Sequence, residues 1–149
     1  MSTIEESVEV AVPVTTAYNQ WTQFEEFPRF MNGVERIEQR TPTLTHWVTN
    51  VGGMHREFDA AVTEQIPDER VAWSTVDGEA RQAGVVTFHR LDPTHTRVML
   101  QMEHDPQGIA DTVGDKLGFV RHQVKGDLHR FKEYIESRGS ETGAWRGQV

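Results

Sequence analysis

Residues 108–139 read GIADTVGDKLGFVRHQVKGDLHRFKEYIESRG, and the spacing of their apolar positions decides the architecture. Ile109, Val113, Leu117, Val120, Val124, Leu128, Phe131 and Ile135 are separated by fours and threes. At about 100° per residue they fall in one stripe about 100° wide. The spacing predicts a helix over 108–138, about 45 Å long at about 1.5 Å per residue. Its opposite face holds Asp115, His122, Lys125 and His129, and its end is marked by Arg138 in the last turn with Gly139 just past it. A helix with one long apolar stripe needs an equally long surface to lie on, and the chain before it supplies strands.

From 4 to 12, Val8, Val10 and Val12 alternate with Ser7, Glu9 and Ala11, the period of a half-buried strand. Pro13 suits the first turn of a helix, where its missing N–H costs nothing, and 14–21 carries Ala17, Tyr18 and Trp21 at helical spacing. Phe24, Phe27, Phe30 and Met31 then gather around Pro28, a second short helix or turn that Asn32-Gly33 ends. Segments 34–40, 44–51, 55–66, 70–76, 83–91 and 96–104 read as strands. Turns at Thr41-Pro42, Gly52-Gly53, Pro67-Asp68, Asp77-Gly78 and Asp92-Pro93 divide them. Connections this short make antiparallel neighbours, since parallel strands need long crossovers. The expected class is α+β: a curved antiparallel sheet of about six or seven strands, two short helices after the first strand, and the long helix last.

Composition narrows the function. The chain of 149 residues is 36% hydrophobic and 26% charged, a globular balance sized for one core. Its formal charge of −8 repels phosphate backbones and its Lys and Arg form no stripe, which argues against nucleic acid as a partner. No apolar run approaches the roughly 20 residues that span a bilayer, so membrane insertion is not expected. MSTIEESVEV has neither a basic nor an apolar leader region, and a cytoplasmic location follows as the expectation. The absence of cysteine excludes disulfides, thiolate metal sites and a cysteine nucleophile. His46, His55, His89, His95, His104, His122 and His129 form no HExxH pair or similar close set, so no metal is expected. No nucleophile elbow, phosphate loop or dinucleotide fingerprint occurs, hence no cofactor is expected and no catalytic residue is assigned.

Several stretches resemble one family in order. HWVTNVGGMHREFDAAVTEQIPDERVAWSTVDG (46–78), AGVVTFHRLD (83–92), HTRVMLQMEHDP (95–106) and VKGDLHRFKEYIESRGSETGAWRG (124–147) look like the actinobacterial polyketide cyclase/dehydrase-like (SRPBCC) branch of the START-like superfamily. The resemblance implies a helix-grip fold, in which the sheet wraps the last helix. It also implies a domain over 1–139 followed by a tail over 140–149, and a cavity for an apolar small molecule such as a lipid, polyketide or quinone. Trp47, Phe58, Trp73 and Phe88, with Leu100 and Met102, would line it from neighbouring strands, and Val113 and Leu117 from the helix. Phe27, Phe30 and Met31 would close it as a lid over 24–31.

Two other functions stay open. One is an aromatase/cyclase-type enzyme that folds a poly-ketone chain by positioning. The other is a protein-interaction module akin to ubiquinone-binding relatives, with Phe119 and Trp145 as contacts and a homodimer left open. The enzyme needs a polar group in the cavity: Arg56, or one of Glu57, Asp59 and Glu64 on the same strand, or Arg121 or Asp127 at the margin of the helix stripe. The plain alternative is that these charges are solvated.

Overall fold

The computed structural model describes residues 2–51, 53–78, 82–104 and 114–147. The first strand, β1 (Ser2–Val10), is followed by helix α1 (Val14–Trp21) and a 3-10 helix (Phe24–Arg29). Six strands come next: β2 (Val34–Thr41), β3 (Leu44–Val51), β4 (Met54–Ile66), β5 (Arg70–Gly78), β6 (Gln82–Asp92) and β7 (His95–His104). Helix α2 (Gly114–Arg138) is last. The expected start of that helix at 108–113 lies outside the described residues. All strands join one antiparallel sheet in the order β1-β7-β6-β5-β4-β3-β2, so the first strand closes onto the last and β2 forms the far edge. This is the helix-grip arrangement.

Two local boundaries differ from the reading of the sequence. Strand β1 leaves the ladder at Val10, although the alternation continues to the buried Val12. The Ala11 N–H is taken instead by the Glu136 carboxylate of α2 at 2.7 Å, and Thr96 Oγ1 donates to the Val12 carbonyl at 2.9 Å. Asp77-Gly78 is not a free turn, because β5 runs through it and Gly78 pairs with Phe58 at a φ of +119°. A Cβ there would stand 2.5 Å from Phe58 Cα, which makes glycine a requirement of this crossing.

Helix α2 runs beside β1, where Lys132 Nζ donates to the Glu9 carbonyl at 3.0 Å and Glu136 accepts from Ala11. Its stripe of Val124, Leu128, Phe131 and Ile135 packs on the sheet face formed by Ile4, Val71, Val86, Val98 and Leu100. Trp21 is the centre of an aromatic cluster at one end. Its ring lies 5.0 Å from Phe131, 5.2 Å from Phe27 and 6.1 Å from Phe30, mostly tilted or edge-on. Each such buried aromatic contributes about 2–3 kcal/mol of hydrophobic stabilisation.

The chain after Gly139 crosses back over α1. The amide of the fully buried Gln20 both donates to Thr142 Oγ1 at 3.0 Å and accepts from the Thr142 N–H at 2.9 Å. Asn19 bonds Glu141 and Arg146, Thr22 Oγ1 accepts from the Trp145 N–H, and Arg146 pairs with Asp68 in the β4–β5 turn. Local sequence rules describe a segment such as 140–147 only as polar and terminal. Its partners lie in α1 and in the β4–β5 turn, far away in sequence, so no periodicity announces them.

Candidate functional site

Strand alternation sorts the inward residues into rows across the sheet. One row runs Ile4, Met102, Gly84, Trp73 and Val62 from β1 to β4. The neighbouring positions toward the β3–β4 turn pair Ala60 with Thr75 and Phe58 with Trp47. Most of these side chains are buried, yet Trp47 and Trp73 are only partly so. The concave face therefore presents two indoles over a buried floor of Phe58, Ala60 and Val62.

The geometry of this wall follows from particular residues. Trp47 and Phe58 face each other across β3 and β4, stacked with ring centroids 5.8 Å apart and 14° between planes. Trp47 Nε1 donates to Thr45 Oγ1 at 2.8 Å, and that hydroxyl donates to the Ala60 carbonyl at 3.0 Å, which fixes the indole without consuming its outer face. Trp73 lies flat across β6, because its neighbour there is Gly84. A Cβ at Gly84 would come within 2.5 Å of Trp73 Cζ2. An alternating strand with one missing side chain thus makes room for a ring to lie along the sheet.

The residues expected to line a cavity separate into two groups. Phe27, Phe30 and Phe88 belong to the aromatic end: Phe27 and Phe30 flank Trp21, and Phe88 meets Tyr18 edge-on at 5.5 Å. Met31 is partly buried beside them. Trp47, Phe58 and Trp73 form the wall, with Met102 in its row and Leu100 two residues along β7. Phe27 touches both groups, 5.9 Å from Trp47. Val113 lies outside the described residues. Leu117 is in α2, but its side chain, like that of Phe119, is outside them. Ile4, Ala60, Val62, Gly84 and Thr75 complete the wall; period-two counting from Trp73 and Phe58 reaches Thr75, Ala60 and Val62, whereas Ile4 and Gly84 are joined to it only by strand pairing.

The polar candidates divide by strand parity. Arg56 shares the face of Phe58, opposite Thr49 at the β3–β4 end of the wall. Glu57 and Asp59 take the outer face, where both bond His46. Asp127 does not reach toward the wall. Its carboxylate accepts from the Asn32 N–H at 3.2 Å and from Arg130, whose Nε donates to the Phe30 carbonyl at 3.0 Å. Burial pushes the Asp127 carboxyl up, against the opposing pull of Arg130 and the Asn32 N–H. This pair ties the 3-10 helix and its exit to α2. Among the described residues no group of three or more His, Asp or Glu could hold a metal ion, and no helix is long and apolar enough to cross a membrane.

Comparison with known proteins agrees with this geometry. A family model described as "Polyketide cyclase / dehydrase and lipid transport" matches residues 10–133. A 17.2 kDa protein of Streptomyces lincolnensis, encoded in the melC2-rnhH intergenic region, is 73% identical over 149 residues, covering 100% of this chain and 99% of its own. Two crystal structures share the fold at low identity. The ZhuI aromatase/cyclase of Streptomyces sp. R1128 superposes with a TM-score of 0.77 at 15% identity, over 97% of this chain and 99% of that one. A START superfamily protein of Mycobacterium smegmatis gives 0.75 at 16%, over 89% and 98%.

Proposed function

The chain belongs to the polyketide cyclase/dehydrase and lipid-transport family, and from that premise we propose that it binds an apolar, ring-bearing small molecule between the sheet and α2. One observation carries the reading. Trp47 and Trp73 stay partly exposed on the concave face, while the residues beneath them are buried. A domain that only filled its interior would bury these two indoles first, because they remove the most apolar area from water. Flat aromatic surfaces favour flat ligands, such as polyketide, quinone or fused-ring compounds, by offset stacking. Trp47, Phe58, Trp73, Leu100 and Met102 are the contact residues on the sheet, and Val113 and Leu117 would face them from the helix. Phe27, Phe30, Met31 and Phe88 act as a rigid end wall.

A second reading is an aromatase/cyclase-type enzyme, and Arg56 favours it. A guanidinium on the face of Phe58, at the end of an aromatic wall, can stabilise an enolate oxygen while the wall holds the chain folded. The fold shared with an aromatase/cyclase is compatible with this chemistry.

Native mass spectrometry of the purified protein, with organic extraction, tests the binding reading, together with titration by the neutral fluorophore N-phenyl-1-naphthylamine. Saturable enhancement that weakens in Trp73→Leu is the expected result. A protein that carries nothing and leaves the fluorophore unchanged at high concentration would remove both readings. Turnover of a poly-β-ketone substrate that Arg56→Met abolishes, with fluorophore affinity retained, would favour the enzyme.

A further inference from the structure

His46 sits on the outer face of the strand that carries Trp47, directly behind the aromatic wall. Its Nδ1 is 2.6 Å from Asp59 Oδ1 and its Nε2 is 3.0 Å from Glu57 Oε1. A neutral imidazole has one N–H and can serve only one of these carboxylates. With an acceptor at each nitrogen, both contacts are hydrogen bonds only in the doubly protonated ring. The cross-strand pairs His46–Asp59 and Trp47–Phe58 are consecutive in the β3–β4 register. What holds the first pair therefore holds the second in stacking position. The opposite border of β4 is irregular: its register with β5 shifts between Asp59 and Ala60 and again between Val62 and Glu64.

We infer that His46 is a proton-operated latch: the imidazolium clamps β4 to β3 through Asp59 and Glu57, and loss of its proton loosens the Trp47–Phe58 wall. This rests on the binding reading for its effect on ligand, though not for its effect on the wall. The charged neighbours on each adjoining strand are few. On β2, Glu38 pairs across with His46 and is itself bridged to Arg36 and Arg40. On β4 there are Asp59 and Glu57, and on β5 Asp77 stands opposite Asp59. Apart from His46 these are carboxylates and arginines, and the second imidazole on this face of β4, His55, pairs with Glu35 of β2. Hydrogen bonds donated to Asp59 and then to Glu57 hold the His46 pKa above the ordinary imidazole value, with burial and Arg40 opposing.

The sign follows. A histidine whose pKa is raised by folding contributes stability that is complete below the unfolded value and is lost as pH rises through the folded one. Wall order and ligand affinity thus fall on the alkaline side. N-phenyl-1-naphthylamine should therefore bind more weakly at pH 9 than at pH 6.

The test uses the full chain and two readouts. NMR follows the His46 ring protons and the Trp47 indole N–H from pH 5.5 to 9.5, and the fluorophore, uncharged over this range, reports binding. The expected result is a His46 midpoint above 6.5, a Trp47 shift with the same midpoint, and a binding curve that follows both. Glu57→Gln, an exposed and isosteric change, should lower all three midpoints together, and His46→Gln should abolish the Trp47 transition. A Trp47 signal that does not respond while His46 titrates overturns the latch, as does a His46 midpoint at or below the ordinary value. Failure of the fluorophore to bind at any pH would sink the binding reading instead, and the Trp47 titration would still decide the latch.

Discussion

Gly84→Ala adds one methyl group to the floor of the aromatic wall, and its effect can be worked from three distances. The new Cβ would stand 2.5 Å from Trp73 Cζ2, 2.8 Å from Cη2 and 3.0 Å from Cε2. Carbon atoms rest at about 3.5–4.0 Å, so the ring must lift by about 1 Å or the strands must part. An indole has no flexible end to move aside. Overpacking of this kind costs about 1–3 kcal/mol. Trp73 is partly exposed and can tilt off the sheet, which favours the lower part of that range. Replacing glycine in a strand returns about 0.5–1 kcal/mol through the unfolded chain. The net expectation is a loss of about 1 kcal/mol, a fall of about 2–4 °C in Tm for a chain of this size. Urea unfolding measures the loss, and the Trp73 indole N–H resonance reports the ring. That resonance should move while the Trp21 resonance stays, and N-phenyl-1-naphthylamine affinity should change at least about threefold, roughly 0.7 kcal/mol. An unmoved Trp73 signal would refute the flat placement of the ring. A moved signal with unaltered affinity would refute the wall as the binding surface.

Gln20→Ala should destabilise by about 2–4 kcal/mol, because two hydrogen bonds to Thr142 and a fully buried side chain are lost together. A lower urea midpoint, with faster proteolysis at the C-terminal end, is the expected observation, and unchanged proteolysis would separate the tail from Gln20. Arg130→Ala should cost about 2 kcal/mol at neutral pH by leaving the Asp127 carboxylate and the Phe30 carbonyl short of a donor. Asp127 already has a raised carboxyl pKa, so the folded state holds its proton more tightly and the penalty should shrink as pH falls through that value. A penalty in urea midpoints that stays equal from pH 8 down through the acid limb would contradict this. Glu136 shows the reverse sign. Burial works against its charge, but Lys132 and the Ala11 N–H together hold its carboxyl below the ordinary value. Glu136→Gln should therefore remove stability at neutral pH and flatten the acid limb of the stability profile, as thermal melts from pH 3 to 7 would show.

Much of this protein is legible without coordinates, and the legible parts share a cause. The alternation in β1, the turn residues between strands and the three–four spacing of α2 are local signals, set by the geometry of the backbone itself. They suffice for an antiparallel sheet with a long terminal helix, and the strand ends fall within about two residues of the expected ones. Local signals fail where a distant partner decides. Val12 continues the pattern of β1, yet Glu136, 125 residues on from Ala11, takes the N–H that would extend the ladder. Phe27, Phe30 and Phe88 read like wall residues, and only the tertiary structure shows that all three rings lie against Trp21. Parity alone turns Arg56 inward and Glu57 and Asp59 outward. That His46 receives both carboxylates, and that the tail satisfies Gln20, depend on strand register and chain return. Periodicity carries one residue's relation to its own element, and the site depends on relations between elements, which the tertiary structure alone determines.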